Sequence, residues 1–142
     1  MIPRDPNARR VSPSVWLTPL GWATSVRLEK TEGEGLSIGL YNVGPLIARC
    51  AELAATVPEK NEFYARREAV RGKFLRPRLH LAIAPGLGLD YDFELDQAII
   101  VQLGQEALSI DFWELSAVAS GLSALLDEVL ETLSNIWEQN HG

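Results

Sequence analysis

RPRLHLAIAPGLGLDYDFELD, residues 76–96, decides how this chain folds. Arg76, Arg78 and His80 lie two apart, and so do Leu79, Leu81 and Ile83. Beyond Pro85-Gly86-Leu87-Gly88, the acids Asp90, Asp92, Glu94 and Asp96 lie two apart, with Tyr91, Phe93 and Leu95 between them. Strand side chains alternate faces, so each half has one charged and one apolar face. Antiparallel pairing with an even sum of residue numbers brings the apolar faces together, whereas an odd sum buries charge. Strands over 76–84 and 89–96 are therefore expected to pair. His80 should lie opposite Asp92 or Glu94, and Arg78 opposite Glu94 or Asp96. Each such cross-strand charge pair contributes ~0.2–1 kcal/mol, and the charged face is expected to be solvated.

Downstream, Ala98 to Leu103 is a largely apolar run that fits a central strand. Gly104-Gln105-Glu106 turns it, and 107–111 returns. Asp111 with Glu114 three residues on has the spacing of a capping box, which opens a helix expected to reach Glu138. Leu115, Val118, Leu122, Leu125, Leu126, Val129, Leu133 and Ile136 form one helical stripe, a core-facing surface first of all. Glu114, Asp127, Glu131 and Glu138 mark the opposite side, and Phe112, Trp113, Leu130 and Trp137 are apolar residues left over.

Upstream, a helix is expected to start near Asn42-Val43-Gly44-Pro45, because proline suits a first helical turn. It runs to about Thr56, with Leu46, Ile47, Cys50, Leu53 and Ala54 inward. A more polar helix follows over 58–71, with Phe63, Tyr64, Ala69 and Val70 as its apolar contacts. Trp22 to Lys30 and Leu36 to Val43 alternate as two strands around Glu32-Gly33-Glu34-Gly35. Residues 1–14, with Pro3, Pro6 and Pro13 among Arg4, Arg9 and Arg10, read as an extended or disordered basic arm. The remainder, 15–142, reads as a single α+β domain. Its element order is roughly ββααββββα: an antiparallel sheet with helices on one face and a long C-terminal helix.

The charge is divided along the chain. All thirteen Lys/Arg lie at or before Arg78, against eight acids there, and eleven carboxylates follow with no fixed positive charge. The net charge of −6 thus hides a basic half and an acidic half. That balance argues against general binding to nucleic-acid backbones, which takes clustered positive charge. Apolar content of 46% with 23% charged residues is that of a globular chain. One cysteine, Cys50, excludes an internal disulfide, and no run approaches the ~18 apolar residues of a membrane span. The opening MIPRDPNARR lacks the apolar core of a signal peptide, so a cytoplasmic setting is expected.

Motifs of catalysis are missing. Two histidines and one cysteine cannot build a classical zinc site. Asp90-x-Asp92-x-Glu94-x-Asp96 lacks the glycine and distal glutamate of a calcium loop, so no metal and no cofactor are assigned. There is no G-x-S-x-G turn, no P-loop and no G-x-G-x-x-G in context. A Cys50–His80 pair, or a pocket of carboxylates around His80, is the enzymatic alternative. Arg66, Arg67, Arg71 and Lys73 form a basic patch beside Phe63, Tyr64 and Phe74. Such a patch suits an acidic protein or, less well, a single-stranded nucleic acid.

The expected function is therefore contact with a protein, basic in character, through the acidic C-terminal helix. Glu114, Asp127, Glu128, Glu131, Glu138, Trp113 and Trp137 form the expected partner face. The last ~35 residues, a hairpin followed by a long helix ending near Trp137, resemble the end of type III secretion chaperones by pattern. The amino-terminal half departs from them, since they begin with a helix. A chaperone, an immunity protein or an inhibitor uses charge in this way. A subunit or assembly factor is the alternative, with Trp16, Trp22, Trp113 and Trp137 as anchors and self-association possible.

Overall fold

The structure, a computed structural model, describes residues 5–20, 25–56 and 78–141. The chain is an α+β fold with two antiparallel sheets. The first is a meander of β1 (Arg9–Arg10), β2 (Val15–Leu20), β3 (Ser25–Lys30) and β4 (Gly35–Gly39), in that spatial order. Helix α1 (Leu40–Thr56) leads out of it. The second sheet is β5 (Arg78–Ala84), β6 (Leu87–Asp92), β7 (Gln97–Gln102) and β8 (Gln105–Asp111), again in order. A 3-10 turn, Phe112–Glu114, feeds helix α2 (Leu115–His141). The helix expected over 58–71 lies outside the described residues, and so does the basic patch Arg66, Arg67, Arg71 and Lys73.

The deciding hairpin has the expected parity. Leu81 pairs with Leu89, His80 with Asp90 and Arg78 with Asp92, all even sums. Each basic position nevertheless meets an acid two or more residues earlier than expected. The turn is tighter than the sequence suggested. Ala84 pairs with Leu87 across Pro85-Gly86, and Gly86 has φ +76°. Proline followed by a positive-φ glycine is the residue order of a type II turn. The strand also ends sooner, because Asp92 Oδ1 accepts the N–H of Glu94 at 2.9 Å and of Leu95 at 3.0 Å. A side chain that bonds the backbone two and three residues on turns the chain out of the ladder. Glu94 and Asp96 therefore leave the strand, and Asp92 is fully buried rather than solvated.

Helix α1 starts at Leu40, earlier than expected, which places Pro45 inside it. Its inner face is Val43, Leu46, Cys50 and Leu53, all buried, while Ala54 is exposed. Helix α2 packs along α1 and contributes Leu115, Val118, Leu122, Leu125 and Val129. These side chains join Val15, Leu17, Val26, Leu28, Leu36 and Ile38 of the first sheet in one apolar cluster. Leu87, Leu89, Tyr91, Ala98, Ile100, Leu108 and Ile110 of the second sheet complete it. Lys30 Nζ, which donates to the Ser109 carbonyl at 3.0 Å, ties the two sheets together.

Within the basic amino-terminal segment, Arg9-Arg10 pairs with β2 at Leu17 and Trp16. Val11 packs over Gly121 of α2 so closely that a Cβ there would fall 2.4 Å from Val11 Cγ1. Glycine is needed at that crossing because any side chain would collide with the segment lying on it.

Candidate interaction surface on the C-terminal helix

Helix α2 outruns the core. Val129 is the last of its residues to be buried, and every described side chain from Leu130 to Gln139 is exposed. The apolar stripe does not stop there. Leu130 is 51% exposed, Leu133 40%, Ile136 39% and Trp137 63%. Residues 130–141 form about three turns, roughly 18 Å of helix. A stripe that is core-facing in the first half of α2 thus becomes solvent-facing in the second. Leu133 and Ile136, expected in the core, belong to this overhang instead.

Asp127, Glu131 and Glu138 are exposed and form a row along one flank of the stripe. At 100° per residue they fall within about 40° of one another. Glu128 lies elsewhere and is engaged. Arg9 Nη1 donates to its Oε2 at 2.6 Å and Nη2 to its Oε1 at 3.3 Å. That hydrogen bond, and then the Arg9 charge, lowers the Glu128 pKa. The pair spans a groove of about 280 Å³ lined by Asn7, Pro19, Leu125, Val129 and Thr132.

Glu114, expected on a partner face, is buried instead. It is 1% exposed, and it makes no capping box, for Asp111 has no side-chain cap bond. The Glu114 carboxylate instead accepts the Ser14 N–H at 2.9 Å and the Ser14 hydroxyl at 2.9 and 2.7 Å. Burial pushes its pKa up, but the hydrogen bonds from Ser14 and the charge of Lys30 outweigh it, leaving a net lowering. Trp113 is 68% exposed but lies twenty-four residues before Trp137, roughly 36 Å along the helix. The structure therefore brings Asp127, Glu131, Glu138 and Trp137 together and separates Glu114, Glu128 and Trp113 from them.

His80 occupies a different place. Its Nδ1 lies 2.5 Å from Asp90 Oδ1, and its ring lies over Gly88, where a Cβ would approach Cε1 to 2.5 Å. The imidazole is held, with its side chain 61% exposed. Cys50 is not its partner. Leu79 and Leu81 face the core that contains Cys50, and alternation puts His80 on the other face of β5. Burial pushes the Cys50 thiol up to about 12, which leaves it protonated and unreactive at neutral pH.

Comparison of the chain with protein-family models, with curated proteins and with solved structures finds no match.

Proposed function

We propose that this protein works by non-covalent contact with a basic protein partner, as a chaperone, immunity protein or inhibitor does. The partner face is the row Asp127, Glu131 and Glu138, with Trp137 beside it. The observation that carries this reading is the overhang of α2: its acids stand clear of the core and have no basic residue among them. Fixed charge of one sign on an exposed helix speeds and orients encounter with the opposite charge. Trp137 adds a large side chain of the type that recurs in binding hot spots. The alternative, a subunit of a larger assembly, draws support from Trp113 and Leu103, which are 68% and 83% exposed well away from that row.

The test is affinity capture with the native chain and with Asp127→Lys, Glu131→Lys and Glu138→Lys combined. Glu128 is left intact because it holds Arg9. Captured proteins identified by mass spectrometry should be basic, and capture should fall about tenfold in the triple variant and weaken steeply with added salt. Equal capture by both proteins at all salt concentrations refutes the proposal.

A further inference from the structure

Three contacts fasten the amino-terminal segment along α2 and the turn that feeds it. Ser14 meets Glu114, Val11 meets Gly121 and Arg9 meets Glu128. Steps of seven residues return to nearly the same side of a helix, so these three positions form one track. Arg9 and Val11, two apart in an extended segment, share the face that lies on it. We infer that this track is a docking site for an extended basic segment of the partner, and that the chain's own amino-terminal strap occupies it as an autoinhibitory contact. The inference rests on the basic partner proposed above and names the part of it that is bound.

The strap is fastened unequally. At Ser14 it is anchored, because the buried Glu114 carboxylate takes both the N–H and the hydroxyl. Hydrogen bonds between Ser12 and Val15 close the turn beside it. At Arg9 it is held by an ion pair whose side chains are 39% and 60% exposed, and pairs of that kind contribute little. Its ladder to β2 is Arg9 with Leu17 and Arg10 with Trp16, whereas β2 and β3 share six pairs. Before Arg9 the chain turns on itself, the Ala8 N–H donating to the Asp5 carbonyl at 2.9 Å. Nor does the strap fill the space around Arg9, where the groove of about 280 Å³ runs between it and Pro19, Leu125, Val129 and Thr132. Lifting of the Arg9 end about Ser14 therefore frees the outer edge of β2, the Gly121 slot and Glu128, and leaves the ladder of β2 with β3 intact.

Charge selects the occupant. The strap brings one arginine to a stretch of helix, 127–138, that carries Asp127, Glu128, Glu131 and Glu138. Arg10 is turned elsewhere: its Nε donates to the Ser12 and Pro13 carbonyls, and its guanidinium lies 6.0 Å from the centroid of the Trp16 ring. A partner segment that pairs with the edge of β2 reproduces the strap's contacts if it sets a basic residue at Glu128 and a small apolar one, two positions on, at Gly121. Further basic residues on that segment meet acids that Arg9 does not reach. Addition of an extended peptide to an open sheet edge is a recurring mode of recognition, with main-chain hydrogen bonds for affinity and side-chain seats for specificity. A tethered strap competes at an effective concentration in the millimolar range, so the closed protein favours segments with more positive charge than its own.

The probe is a fluorescent synthetic peptide of residues 5–15, DPNARRVSPSV, titrated against the full chain and followed by anisotropy. Arg9→Glu repels the strap from Glu128 and leaves the track in place. It should bind the peptide about tenfold more tightly than the native chain does, because the tethered strap no longer competes. Adding Glu128→Arg restores the strap's ion pair with reversed charge and should return binding to the native level or below. Arg9→Gln, which removes the charge without reversing it, should fall between, and it keeps the test open if Arg9→Glu loses the native circular dichroism. Equal binding by the native chain and both Arg9 variants overturns the inference, as does no binding by any of them. The two proposals fail separately. Capture that depends on the acid row, with peptide binding the same in all chains, refutes the strap and keeps the basic partner. Peptide binding that rises in Arg9→Glu, with capture indifferent to the acid row, does the reverse.

Discussion

Glu114 shows how a single carboxylate changes meaning once its surroundings are fixed. By spacing it is a capping residue at the start of a solvated helix. In the fold it is buried and holds the backbone and hydroxyl of Ser14, one hundred residues earlier. A buried anion costs several kcal/mol unless it is hydrogen-bonded, and here the Ser14 N–H and the Ser14 hydroxyl, whose one proton is shared between the two carboxylate oxygens, supply what water would. Charge-assisted hydrogen bonds are about twice as strong as neutral ones. Glu114→Ala should therefore cost about 3 kcal/mol in urea unfolding at pH 7, and Ser14→Ala about 1–2 kcal/mol. The pKa of Glu114 is lowered in the folded state, so its contribution is complete above the unfolded value near 4.5. It declines as pH falls through the folded value. Repeating the titration between pH 6 and pH 3 should show the difference between native protein and Glu114→Gln shrinking over that range. A constant difference would mean the charge plays no part.

Helix α2 is one element with two environments. Up to Val129 its stripe is covered by α1 and the first sheet, and beyond it Leu130, Leu133 and Ile136 of the same stripe are exposed. Amides of residues 131–141 should exchange with solvent faster than those of 117–129, because helices draw most of their stability from packing of the apolar face. Hydrogen-exchange mass spectrometry at low protein concentration checks this, and uniform protection along α2 contradicts it. Gly121 lies in the covered half. Glycine in a helix is ordinarily worse than alanine by about 1 kcal/mol. At this position Gly121→Ala should instead destabilise by about 1–3 kcal/mol, because the new methyl meets the Cβ and Cγ1 of Val11. Combining it with Val11→Ala should recover part of the loss. A gain in stability from Gly121→Ala alone would show that the segment around Val11 does not lie against the helix.

Over the whole molecule, the division of charge at Arg78 means less than its size suggests. Of the acids that follow, Asp90 meets His80, Asp92 caps a turn, Asp96 accepts the Tyr91 hydroxyl, and Glu114 and Glu128 hold the amino-terminal segment. Local alternation was enough to reveal the strands of the second sheet, the parity of the 78–92 hairpin and the stripe of α2. It could not give the hairpin its register, because Leu87 could begin the second strand or belong to the turn until Pro85-Gly86 closed on Ala84. Nor could it show that Arg9 would reach Glu128, since a pairing across 119 residues leaves no local trace.

The sequence by itself determined the class of fold, the side of each strand and helix that is apolar, and the absence of positive charge from the terminal helix. These depend on the covalent order of side chains and on the fixed periods of helix and strand. Only the tertiary structure decided which of those sides is covered. Periodicity tells where a side chain points, but burial depends on whether another element stands there. On α2 that cover ends at Val129, which makes Leu130, Leu133 and Ile136 a surface and Glu114 part of the interior.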